Sequence, residues 1–134
     1  MKAKLSLAVV GSRSFRNEAM LATWIEFCLH GVMPAGIEIV SGGARGADRM
    51  AAKYAFDNRL PYVEFPADWE SYGKRAGMIR NAKIVKRADT VLAFWDGCST
   101  GTADTINKAI VAKKPVIIIP FGGNRENHTR LLFD

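Results

Sequence analysis

The sequence predicts an α/β fold of Rossmann type: a doubly wound, mainly parallel five-stranded sheet with helices on both faces. Three observations carry this. Short apolar runs alternate with longer segments of helical period along the chain. The runs are continuous in Val, Ile and Leu rather than alternating with polar residues, as strands covered on both faces require. Most runs end in a Gly- or Ser-bearing stretch that leads into a helix, the arrangement of right-handed strand–helix–strand units.

The elements follow in order. Leu5–Val10 reads as the first strand, too short and too quickly followed by a glycine turn to be a leader segment. Glu18–His30 reads as a helix, with Asn17 at its N-cap and Met20, Leu21, Trp24, Ile25, Cys28 and Leu29 on one face. Gly36–Val40 is a strand, Ala47–Asn58 a helix and Pro61–Phe65 a strand. Ser71–Arg87 reads as one long helix. Thr90–Trp95 is the fourth strand, Thr102–Ala112 a helix and Pro115–Pro120, with "VIII" at its centre, the fifth strand. No linker or repeat divides the chain, so residues 1–134 are expected to form a single domain. The tail 122–134 turns apolar at Leu131-Leu132-Phe133, which suits docking on the body or on a second copy, so a homo-oligomer stays open.

Bulk chemistry narrows the function classes. No segment has the length of a membrane span. Cys28 and Cys98 form neither a CxxC pair nor a disulfide framework, which fits a reduced, cytoplasmic setting. His30 and His128 have no partners at ligand spacing, so neither a metal nor a cofactor is expected. The net charge of +6 suits a phosphorylated ligand or a nucleic acid, but the basic residues are scattered and the nucleic acid is not favoured.

In a doubly wound sheet, ligands bind beyond the carboxyl ends of the strands. The unusual residues fall there: Gly11-Ser12-Arg13, then Ser41-Gly42-Gly43-Ala44-Arg45-Gly46-Ala47-Asp48, then Asp68-Trp69, then Asp96-Gly97-Cys98-Ser99-Thr100-Gly101-Thr102. Glycines let backbone N–H groups approach an anion, and helix starts add orphan donors. Arg13 and Arg45 add charge-assisted contacts. None of these stretches is GxGxxG or GxxxxGK[ST], which disfavours a simple dinucleotide or P-loop site. Within Ser71–Arg87, Gly73 and Gly77 share a face with Arg80, Asn81 and Ile84. Two glycines inside a helix cost roughly 1 kcal/mol each, which points to close packing or close approach of a ligand.

Together, "GSRSF", "SGGARGADRMAAKYA", "FPADWESYGKRAGMIRN" and "DGCSTGTADTINKA" resemble the YspA-type branch of the SLOG superfamily, from about Leu7 to Pro120. The superfamily is related to the Lonely-Guy phosphoribohydrolases and to DNA-processing protein A. The resemblance implies a Rossmann-like domain binding a nucleotide sugar, an ADP-ribose-like molecule or a nucleoside phosphate, as sensor, carrier or enzyme. Set against the phosphoribohydrolase pattern, Met78-Ile79-Arg80-Asn81 keeps the arginine and replaces the lysine with Asn81. Gly101-Thr102 keeps the phosphate pair, but Thr105 stands where that pattern has its catalytic glutamate. Binding is therefore the first expectation, with Gly42, Gly43, Gly46, Gly101 and Thr102 as the phosphate cradle. Gly11, Ser12, Arg13, Ser41, Arg45, Gly77, Arg80, Asn81, Gly97 and Ser99 add contacts, and Trp69 stacks on a base. Asp48 belongs to the same set, or fixes the helix start instead. The alternatives are an N-glycosidic or nucleotide-sugar hydrolase using Asp68, Asp96 and Arg80, and a single-stranded nucleic-acid binder.

Overall fold

In the computed structural model, residues 5–122 and the backbone of residues 130–132 are described. The strands are β1 (Leu5–Gly11), β2 (Ile37–Ser41), β3 (Tyr62–Glu64), β4 (Thr90–Trp95), β5 (Val116–Pro120) and β6 (Arg130–Leu132). The helices are α1 (Glu18–Leu29), α2 (Ala47–Asp57), α3 (Trp69–Tyr72), α4 (Ala76–Arg87) and α5 (Thr100–Val111). The sheet order is β3-β2-β1-β4-β5-β6. The first five strands pair in parallel, and β6 joins β5 antiparallel, with Ile117 opposite Leu131.

The apolar strand runs are buried on both faces, as their composition requires. One face of the sheet packs Leu7, Val9, Ile39, Leu92 and Phe94 with Leu21 and Ile25 of α1 and the alanines of α2. The other packs Ala8, Val10, Val40, Val91 and Ala93 with Ile84 and Val85 of α4 and Ile106 of α5. Chain order reverses between β1 and β4, the adjacent strands at the centre of the sheet. There the two connections must splay to opposite faces and leave a crevice at the strands' carboxyl ends.

Two details differ from the sequence reading. The expected helix Ser71–Arg87 is broken: a 3-10 turn over Gly73–Arg75 separates α3 from α4. Gly73 has φ +56°, a conformation that ends α3 and that glycine adopts without strain. It therefore pays no helix-interior penalty, and Gly77 starts a new helix instead of interrupting an old one. The sheet also gains a sixth strand, β6, so Leu131 and Leu132 of the tail extend the body's own sheet. Phe133 lies outside the described residues.

Candidate functional site

A cleft of about 470 Å³ opens at the switch point between β1 and β4. Its floor is apolar, from Val10 and Ile84. Its rim is polar: Arg13 and Ser14 from the β1–α1 connection, Asp48 from α2, Arg80 and Asn81 from α4, and Asp96, Ser99, Thr100, Gly101 and Thr102 from the β4–α5 connection and the first turn of α5.

The β4–α5 wall is built by Asp96. Its Oδ1 accepts the amides of Cys98 at 2.8 Å and Ser99 at 2.7 Å, folding "DGCS" into a tight turn that aims α5 at the cleft. Burial pushes this carboxyl up, but those two hydrogen bonds outweigh it, and it lies below its ordinary range. The Ser12 hydroxyl ties this wall to β1, donating to Ser99 Oγ at 3.2 Å and accepting the Asp96 amide at 3.2 Å. The first intrahelical donor of α5 is Ala103, whose amide meets Ser99 O at 3.2 Å. The preceding amides of Thr100, Gly101 and Thr102 have no intrahelical acceptor and start a twelve-residue helix with its positive end at the cleft. Ser99 Oγ and Thr102 Oγ1 stand 3.3 Å apart beside them.

The opposite wall is held by α4. Arg80 donates from Nη1 to Gly42 O at 3.0 Å and from Nε to Asn81 Oδ1 at 2.9 Å. Asn81 is buried and uses its amide nitrogen on Gly101 O and Asp104. Asn81 thus clamps Arg80 on one side and the first turn of α5 on the other, with its polar atoms spent on protein. Thr105, in the glutamate position of the phosphoribohydrolase pattern, lines the cleft and donates to Gly101 O at 3.2 Å.

The glycines of "SGGARGAD" make room for neighbouring protein groups. A Cβ on Gly42 would meet Asp48 Oδ2 at 3.0 Å, and one on Gly46 would meet Ser12 O at 2.5 Å. One on Gly43 would strike the Glu64 carboxylate, with Cδ at 2.6 Å. These glycines admit neighbouring protein: Arg80 and Asp48, the β1–α1 backbone, and Glu64. Gly11 is similar, with Phe94 O at 2.5 Å. Gly101 differs, since nothing lies within 4 Å of its would-be Cβ. The open approach is at α5. Asp48, buried beneath the loop, accepts the amides of Gly42 at 3.2 Å and Ala44 at 3.3 Å, so it does fix the loop. Burial pushes its carboxyl up to about 6, against the pull of the Ala44 amide and the Arg80 charge.

The YspA, cpYpsA-related SLOG family (YAcAr) matches residues 6–72, from the first strand through "FPADWESY". The gene 61 protein of Mycobacterium phage D29 is 37% identical over 115 residues, covering 81% of this chain and 91% of that protein. The chain belongs to the YspA, cpYpsA-related SLOG family. Among solved structures, DNA processing protein A from Helicobacter pylori, studied for its single-stranded DNA binding mode, superposes with TM-score 0.71 at 18% identity. The match spans 93% of this chain and 69% of that one. DNA processing protein A from Streptococcus pneumoniae gives TM-score 0.69 at 22% identity, over 88% of this chain and 51% of the other, so this chain spans about half its length. These two share the Rossmann-like fold.

Within this SLOG chain the sequence-predicted residues divide. Gly11, Arg13, Asp48, Arg80, Asn81, Asp96, Ser99, Gly101 and Thr102 come together in the cleft lining. Ser12, buried, and Ser41, whose hydroxyl donates to Val9 O at 2.6 Å, lie behind it. Gly42, Gly43, Arg45, Gly46 and Gly97 belong to the loops around it and not to its lining. Asp68 does not reach it: its Oδ1 caps α3 by accepting the Ser71 amide at 3.1 Å, and Ser71's side chain and amide hold the carboxyl below its ordinary range. Trp69 is half exposed and covers Gly77, whose would-be Cβ lies 3.5 Å from the indole, so neither lines the cleft. Ser14, Ala44, Thr100 and Thr105 line it without having been singled out for binding. Ser14 and Thr100 sit within the motifs already quoted, and their hydroxyls were the signal.

Proposed function

We propose that this domain binds a nucleotide-derived ligand, with its phosphates at the N-terminus of α5 and the rest of the molecule along the β1–β4 crevice. The observation that carries this is convergence. Three intrahelically unpaired amides, two hydroxyls and the arginines 13 and 80 border one cleft with an apolar floor. A cytoplasmic sensor or carrier role belongs to the same proposal. Binding is favoured over hydrolysis because Asp68 does not line the cleft, Asp96 holds its turn through Oδ1, and Thr105 offers no carboxylate. The test is thermal melting with ADP-ribose, UDP-glucose and AMP. At least one raises the melting temperature, and the exposed Arg13→Ala removes the shift without altering the apo protein. No shift from any of them, with no ligand in the cleft after soaking, would sink the proposal. Chromatography after incubation separates binding from cleavage.

A second reading has its own support. The net charge is +6, Arg13, Arg16 and Arg45 are exposed on the two connections at this edge, and a structural neighbour was studied for single-stranded DNA binding. Phosphate-tracking of this kind weakens steeply with salt. Oligonucleotide binding that stays constant between 50 and 300 mM salt argues against it.

A further inference from the structure

We propose that filling the cleft with an oxyanion takes up a proton at Asp48, so that the site binds anions better on the acid side of neutrality. This rests on the anion-binding reading above and adds its regulation.

The geometry is that of a buried carboxylate bordering the proposed anion site. Asp48 is 5% exposed, yet it borders the cleft. Its Oδ2 is committed to the Gly42 and Ala44 amides. The Gly11 amide is a third, weaker donor to the carboxylate.

The surrounding charges have to be counted from every side. From α4, Arg80 attracts the carboxylate but turns its Nη1 onto Gly42 O. From β3, Tyr62 faces Asp48 and donates its hydroxyl to Glu64 Oε1 at 2.8 Å. From β1–α1 comes Arg13, and from β4–α5 comes Asp96, a second carboxylate at the same cleft. The acids of α1 look elsewhere: Glu18 toward Lys53 and Glu26 toward Tyr54. Glu38 of β2 is paired with Arg87 at the far end of the strand. The positive groups near Asp48 are thus the same ones an anion would use. An oxyanion against Arg80 and the α5 amides draws on that charge and repels a buried carboxylate beside it. Protonation removes the repulsion.

The experiment is a sulfate titration by calorimetry between pH 5.0 and 7.5, in paired buffers of unlike ionisation enthalpy. Sulfate stays fully ionised over this range, so any proton taken up belongs to the protein. With the free-state value near 6, affinity should fall with rising pH by several-fold, at most roughly 30-fold, with net proton uptake at pH 7. Asp48→Asn, a neutral side chain of the same shape, should bind nearly independently of pH at the level wild type reaches at pH 5. The wild-type proton count stands by itself if the variant folds poorly. Sulfate binding that is flat with pH and free of proton uptake overturns this inference alone, as does a pH dependence that persists in Asp48→Asn. An absence of sulfate binding at every pH overturns the anion-cleft reading and this inference with it.

Discussion

Asp48→Asn should stabilise the apo protein increasingly as the pH rises, the reverse of what removing a buried hydrogen-bonded acid usually does. The carboxyl lies at about 6 in the fold, against 3.8 ordinarily, because burial outweighs three amide donors and Arg80. A folded value above the unfolded one means the native state holds the proton more tightly. The cost of ionising Asp48 in place is absent below the unfolded value, grows as the pH climbs and is complete above about 6. At roughly 1.4 kcal/mol per unit, the full cost is about 3 kcal/mol. Between pH 4.5 and 7.5 the stability difference between variant and wild type should therefore move by about 2 kcal/mol in the variant's favour. For a chain of this size that is roughly 7 °C in melting temperature. The constant part of the difference, from replacing a carboxylate by an amide oxygen at the Gly42 and Ala44 donors, cancels because only the change with pH is read. Urea unfolding at four pH values, followed by tryptophan fluorescence and circular dichroism, measures it. A flat difference, or one moving toward wild type, would show that the loop amides hold the ionised carboxylate in comfort, and the reasoning on Asp48 would fail.

The two kinds of glycine in the loops separate by substitution. Gly46→Ala puts a Cβ against Ser12 O at φ +80° and should cost at least about 2 kcal/mol, read as a lowered urea midpoint. Gly101→Ala meets open space, should leave the midpoint within about 0.5 kcal/mol, and should weaken ADP-ribose binding by crowding the α5 amides. Lys114 donates to the carbonyls of Val85, Lys86 and Ala88 at 2.6, 3.0 and 2.6 Å, closing the C-terminus of α4. Lys114→Met keeps the stem and should cost about 1–2 kcal/mol by the same assay. Glu38 pairs bidentately with Arg87 at 2.8 and 2.7 Å and accepts the Ser6 hydroxyl at 2.6 Å. The Arg87 hydrogen bond, opposed by burial, holds it below the ordinary carboxylate range, so its contribution is present near neutrality and is lost as the pH falls through that lowered value. Glu38→Gln should therefore cost about 1–3 kcal/mol at pH 7 and progressively less toward pH 3.

The sheet was legible because its signal is local. Continuous apolar runs such as Leu5–Val10 and "VIII" can be satisfied only by burial on both faces, and the Asn17 cap is written beside the helix it starts, with Oδ1 on the Met20 amide at 2.9 Å. The break in Ser71–Arg87 was not legible. A glycine with positive φ that ends one helix and a glycine inside another look alike in one dimension, and the 3.6 period continues through both. The strand β6 was hidden because three residues carry no period of their own. What makes Arg130–Leu132 a strand is the free edge of β5, which is a property of the assembled sheet.

The candidate site shows what a glycine-rich loop leaves unsaid in one dimension. A glycine in a turn signals that something comes close to the backbone, but not what. At Gly42 and Gly46 the close neighbours are Arg80 and the Ser12 and Arg13 carbonyls, which come from distant parts of the chain. Only the fold brings them there. "SGGARGAD" is thus the joint at which β2, α2, the β1–α1 connection and α4 lock together, and Asp48 is its pin. That joint explains why Arg80 is fixed by Gly42 on one side and Asn81 on the other before any ligand arrives. A site whose arginine is already oriented would lose less side-chain entropy on binding, so in the proposed binding role rigidity in the glycine-rich loop would serve affinity at α5, across the cleft.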